Sequence, residues 1–182
     1  MSFWNLDDGE SAKDVGTNYD AGGGNFEPIP EGTSVLAMPD EVKWDTNKEN
    51  DEYCFLRWVV IKPEVYAGRK VPQKLWLTDP KPNTKDAAKD RDKAKRMLAA
   101  IDANAGGKLM KLDKRPTNED LAVCLTNKMM VIRLGVWDID GKSGNWVQAV
   151  SPKSAEISDV KAKPKPRPKA PVDDDDLDSI PF

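Results

Sequence analysis

Apolar and polar positions alternate most regularly in residues 52–62, EYCFLRWVVIK, where β-branched and aromatic side chains predict a β-strand. Upstream, TSVLAMPDEVKW predicts a first strand from Thr33 to about Asp45, with a bulge or bend at Pro39, and the polar stretch DTNKEND turns the chain between the two. After a turn containing Pro63 and Gly68, RKVPQKLWLT predicts a third strand. The period then becomes helical. Ala94, Met97, Leu98, Ile101 and Ala105 recur on one face of a helix over residues 85–105, which Gly106 and Gly107 terminate. A short second helix begins at Thr117, a residue suited to capping, with Glu119 and Asp120 in its first turn and Leu121, Cys124 and Leu125 as its apolar stripe. Two more strands, KMMVIRLGVWDI and GNWVQAV, follow, joined by the turn DIDGKSGN.

Around this body the pattern dissolves. Residues 1–32, with three consecutive glycines at 22–24, form an N-terminal arm whose start Phe3, Trp4 and Leu6 would pin to the body. Residues 153–171 form a linker in which proline alternates with cations, an extended spacer. Residues 172–182, VDDDDLDSIPF, are an acidic tail that composition leaves disordered until something binds it. The domain is residues 33–152. Three strands, a helical insertion and two strands make it mainly β, α+β by content, and match the order of an OB-fold, the five-stranded barrel that binds oligonucleotides or oligosaccharides. A generic five-stranded sheet packed on helices gives nearly the same order.

Separating each strand into its two faces points to chemistry. In the second strand Cys54, Leu56, Trp58 and Val60 oppose Tyr53, Phe55 and Arg57; in the third, Val71, Leu75 and Leu77, with Gln73 the polar exception, oppose Lys70, Lys74 and Trp76. In the fourth, Ile132, Leu134 and Val136 oppose Arg133, Gly135 and Trp137; in the fifth, Val147 and Ala149 oppose Trp146 and Gln148. The second face interleaves cations with rings, and no carboxylate stands among these positions. Single-stranded nucleic acid needs that chemistry, because phosphates attract cations and unpaired bases stack on rings. Arg57, Lys70, Lys74 and Arg133 are the candidate phosphate ligands, and Tyr53, Phe55, Trp76 and Trp137 the candidate stacking platforms. The competing reading is an ordinary wet sheet face.

Composition narrows the choice further. The chain has 182 residues, no histidine and only two cysteines, Cys54 and Cys124, which removes histidine-based catalysis, the common Cys/His zinc patterns and a disulfide framework. Asp138 and Asp140 with Asp7 and Asp8 match no calcium-loop or two-metal spacing, and AIDANAGGK lacks the phosphate-loop spacing, so no metal, cofactor or enzymatic activity is expected. No apolar run is long enough for a membrane helix, and the acidic start MSFWNLDDGE is unlike a signal peptide, so a soluble cytoplasmic protein without a membrane partner is expected. The net charge of −3 is segregated: Asp173, Asp174, Asp175, Asp176 and Asp178 contribute −5, leaving +2 on residues 1–172. Ile180, Pro181 and Phe182 add an apolar end to the aspartate run, the makeup of a tail that docks on a partner's basic, apolar pocket.

At DDDDLDSIPF the chain resembles bacterial single-stranded-DNA-binding proteins, whose acidic tails end in Ile-Pro-Phe and recruit replication and repair enzymes. Over most of residues 1–152, at MSFWNLDDGE, CFLRW, QKLWLTD, KRMLAAIDANAGG and GNWVQAVSP, it resembles a family of phage-encoded OB-fold single-stranded-DNA-binding proteins. The resemblance implies a viral protein of phage DNA replication and recombination, acting in the cytoplasm of the infected bacterial host and recruiting replication or recombination proteins through its tail. It assigns no individual DNA-contacting residue. Two alternatives stay open: a protein-interaction adaptor, and a less selective binder of duplex DNA or RNA.

Overall fold

The computed structural model describes residues 27–158. Most of the N-terminal arm, the later part of the linker and the whole tail from Val172 to Phe182 lie outside them. The described chain forms β1 (Ser34–Thr46), β2 (Glu52–Lys62), β3 (Lys70–Leu75), α1 (Ala87–Ala105), α2 (Asn118–Leu125), β4 (Met130–Ile139) and β5 (Lys142–Ser151). The strands make one antiparallel sheet in the order β3-β2-β1-β4-β5. β1 is the hub. It pairs with β2 from Leu36 to Thr46 and with β4 only from Ser34 to Ala37, so the sheet divides along its length. The edge strands β3 and β5 approach within 8 Å between Cα atoms, but no ladder joins them and the sheet is not closed.

One face of the sheet is the core. Cys54, Leu56, Trp58 and Val60 of β2, Val71 and Leu75 of β3, Ile132 and Leu134 of β4 and Val147 of β5 are buried there, as their alternation leads one to expect. Ala94 and Ile101 of α1 and Leu121 and Leu125 of α2 cover it. Each helix carries its own punctuation. Asp86 accepts the Lys89 amide at the start of α1, and Gly106 closes it in the left-handed region at φ 119°. Thr117 and Asp120 form a reciprocal capping box on α2, so Asp120 contributes a directed hydrogen bond beyond its charge. Asp102, 1% exposed, accepts the amides of Leu109 and Met110 and so fixes the chain after α1.

Three details of register depart from the alternation. β3 ends at Leu75, so Trp76 and Leu77, though buried, lie beyond the strand. The β4–β5 connection is a two-residue turn, Asp140-Gly141, both at positive φ, and the other residues of DIDGKSGN are paired strand. A bulge at Gln148 puts Ala149 opposite exposed Arg133 and makes Val150, not Ala149, the next residue to pack on the core.

Both flanks of the sheet are tied down. Ile29 is fully buried and exchanges two hydrogen bonds of 2.8 Å with the Asn145 side chain, while the Ser158 hydroxyl accepts the Ser34 amide at 2.9 Å. The described ends of the arm and of the linker thus lie against the body. No helix among the described residues is long and apolar enough to cross a membrane.

Candidate nucleic-acid interface

The face opposite the core on β1, β2 and β3 carries most of the candidate residues. Register places Lys43 of β1 beside Phe55 of β2, and Phe55 beside Lys74 of β3, giving a cation–ring–cation row across three strands. Lys43 Nζ lies 5.8 Å from the Phe55 centroid. Lys74 Nζ lies 4.5 Å from the Tyr53 ring, whose centroid is 5.0 Å from that of Trp76 at an interplanar angle of 54°. One step along the sheet, Arg57 of β2 pairs with Glu41 of β1 and Pro72 of β3, and Lys70 stands exposed at the start of β3.

The rings differ in what they offer a base. Phe55 is partly exposed, whereas Tyr53 and Trp76 are each 3% exposed and Lys74 9%. Lys74, Tyr53 and Trp76 therefore act as a packed unit, with the ammonium over a ring face as a cation–π pair. Phe55 is the most exposed of the three rings.

β1 also brings carboxylates to this face, which the alternation of the other four strands does not reveal. The register shift between Pro39 and Glu41 inserts Asp40 as an extra residue, and both acids turn toward Arg57. Arg57 donates from Nε and Nη2 to the two Asp40 oxygens at 2.8 and 3.0 Å, and its Nη1 lies 2.9 Å from Glu41 Oε2. Glu41 and Asp45 flank Lys43 at 3.1 and 3.6 Å. These partners raise both cations' pKa above their ordinary values, the Asp40 hydrogen bond acting most on Arg57 and the Glu41 hydrogen bond most on Lys43.

Arg133 and Trp137 lie apart from that group, on β4 beyond or at the end of its short ladder with β1. Arg133 is exposed between Ser34 and Ala149. Trp137, 4% exposed, packs with Trp146 and Ile139, and each tryptophan rests on a glycine of the facing strand. A Cβ on Gly135 would lie 2.3 Å from Trp146 Nε1, and one on Gly144 would lie 2.7 Å from the Trp137 ring. These glycines are small because a ring occupies the space where a side chain would be. Trp146 also lines an open groove of about 440 Å³ between α1 and β5, with Lys93, Arg96 and Met97 opposite. The tail residues Asp173, Asp174, Asp175, Asp176, Asp178, Ile180, Pro181 and Phe182 lie outside the described residues.

The geometry thus brings Tyr53, Phe55, Arg57, Lys70, Lys74 and Trp76 together and leaves Arg133 and Trp137 on the other side of β1. Lys43 of β1 joins them beside Phe55. The chain matches no protein-family model, and no curated protein is similar to it.

Proposed function

We propose that this protein binds single-stranded DNA, with little regard to sequence, on the exterior of β1, β2 and β3. The observation that carries the reading is the partly exposed Phe55 ring beside Lys43 of β1, with Lys70 exposed one step along the same face on β3. Phosphates would pair with Lys43 and Lys70 while a base stacks on Phe55, the division of labour that single strands require, and Lys74 would hold the Tyr53–Trp76 unit beside them. Arg133 would extend the phosphate path on β4.

The architecture supports the same reading. A helix-containing insertion between β3 and β4, a β1 strand shared between β2 and β4, and edge strands β3 and β5 near one another are features of an OB-type barrel. On this reading the acidic tail recruits replication or recombination proteins, and the protein works in phage DNA replication in an infected bacterium, as its resemblance to phage-encoded binding proteins implies. The protein acts by stoichiometric binding and not as an enzyme.

Competition distinguishes this reading from its rivals. A labelled oligo-dT should bind and be displaced by unlabelled single strands far more readily than by duplex or RNA of equal length. Equal displacement by duplex or RNA would make the site a general polyanion surface. Absence of binding at low salt would leave a protein-interaction adaptor.

A further inference from the structure

We propose that Asp40 and Glu41 are built-in phosphate surrogates that hold Arg57 when no strand is bound and yield it to a phosphodiester by exchange. The inference rests on the single-strand reading of this face and specifies how one of its cations is regulated.

All three guanidinium nitrogens of Arg57 are engaged, Nε and Nη2 in a two-pronged grip on Asp40 and Nη1 on Glu41. Two parallel N–H···O bonds to one anion are also how a guanidinium grips a phosphate through two of its oxygens. The carboxylates therefore take the place a phosphodiester would need. They can leave it cheaply. Side-chain exposures of 36% for Arg57, 26% for Asp40 and 32% for Glu41 keep the cluster in contact with water, where such pairs contribute little to folding stability. The sequence places these acids at a bulge, a device that re-aims side chains, so their convergence on Arg57 follows from the backbone and not from a chance meeting of long side chains.

Charge decides the consequence. Asp40, Glu41 and Asp45 face Arg57 and Lys43, a local formal balance of −1 in a face otherwise supplied with Lys70 and Lys74. A strand approaching Arg57 replaces fixed carboxylates and does not simply add a new ion pair. The exchange weakens binding at one phosphate position and hides Arg57 from the count of cations that salt dependence reports.

The test compares Asp40→Asn/Glu41→Gln, the single variant Glu41→Gln and the control Asp45→Asn, which removes a charge from the same face without touching Arg57. Affinity for oligo-dT is measured from roughly 50 to 500 mM salt, with thermal melts to establish folding. With Lys43, Lys70 and Arg133 meeting phosphates, the unmodified protein should show a slope of log affinity against log salt of about −2. Freeing Arg57 should steepen the double variant to nearly −3, a further fivefold or so in affinity per decade of salt. Glu41→Gln, which retains the grip of Asp40, should fall between, and it remains informative if the double variant melts early. Asp45→Asn should tighten binding without changing the slope, because Lys43, 43% exposed and still beside Glu41, already counts among the phosphate partners. If the unmodified protein binds oligo-dT and the acid variants keep its slope, or if Asp45→Asn steepens it equally, the surrogate idea is overturned and the binding reading survives. If the unmodified protein does not bind oligo-dT, both fall.

Discussion

Alternation assigns Phe55 and Trp76 to the same face, yet their truncation should have different consequences. Phe55 is partly exposed and lies between Lys43 and Lys74, so Phe55→Ala removes a stacking platform while leaving the core beneath it intact. The loss in affinity for oligo-dT should be about 1–3 kcal/mol, or about 5- to 150-fold in Kd. Trp76 is 3% exposed and supports the Tyr53 ring at 5.0 Å, so Trp76→Ala should cost about 3–5 kcal/mol of folding stability, as large aromatic truncations in cores do. Urea denaturation separates the two effects, and titration with labelled oligo-dT under conditions where each variant is fully folded measures the first. Phe55→Ala should melt near the unmodified protein and bind weakly; Trp76→Ala should be unstable first and a poor binder only through its fold. A folded Phe55→Ala protein with unchanged affinity would refute stacking on this face, and a Trp76→Ala protein of normal stability would refute the packed unit.

Burial pushes the Cys54 thiol up from the ordinary cysteine range to about 12. Its contribution is whole below the unfolded pKa and is lost as pH rises toward 12, because the unfolded chain ionises first; stability should fall by about 1.4 kcal/mol per pH unit in that window beyond the fall seen in Cys54→Ala. Urea midpoints between pH 9 and 11 check it, and equal slopes in the two proteins would refute it. Gly135→Ala forces a methyl to within 2.3 Å of Trp146 Nε1 and should cost about 1–3 kcal/mol while changing the tryptophan emission. A neutral result would mean the indole has room to leave. Removing residues 172–182 should tighten DNA binding at low salt, since tethered aspartates compete with phosphates for the same cations, whereas deleting Phe182 alone should spare that competition and abolish partner capture. Unchanged low-salt affinity in the truncated chain would refute the competition.

Much of this architecture is legible in the chain because burial imposes a period. Cys54, Leu56, Trp58 and Val60 announce their face by alternation, and Ala94 and Ile101 announce theirs by helical spacing; both sets are buried as that logic requires. What alternation cannot convey is register. Pro39 marks the β1 bulge in advance, but which way Asp40 and Glu41 then point depends on their pairing with β2, so the acids around Arg57 appear only in three dimensions. The bulge at Gln148 has no proline to mark it, and it exchanges Ala149 for Val150 at the core. Strand arithmetic also treats Trp76 as a surface position, although the chain leaves the sheet one residue earlier and the ring is covered. Asp-Gly at 140–141 is itself a strong two-residue hairpin signal; the polar residues after it obscured how early β5 begins.

The most direct measurement of where a strand lies is ultraviolet crosslinking of the full chain to oligo-dT, with the adducts mapped by peptide mass spectrometry. Adducts should concentrate on peptides of β2 and β3, with Phe55 foremost, and should disappear when unlabelled single strand is added in excess. Adducts confined to peptides of α1 and α2, or none at a protein concentration where binding is saturated, would contradict a single-strand site on the exterior of this sheet.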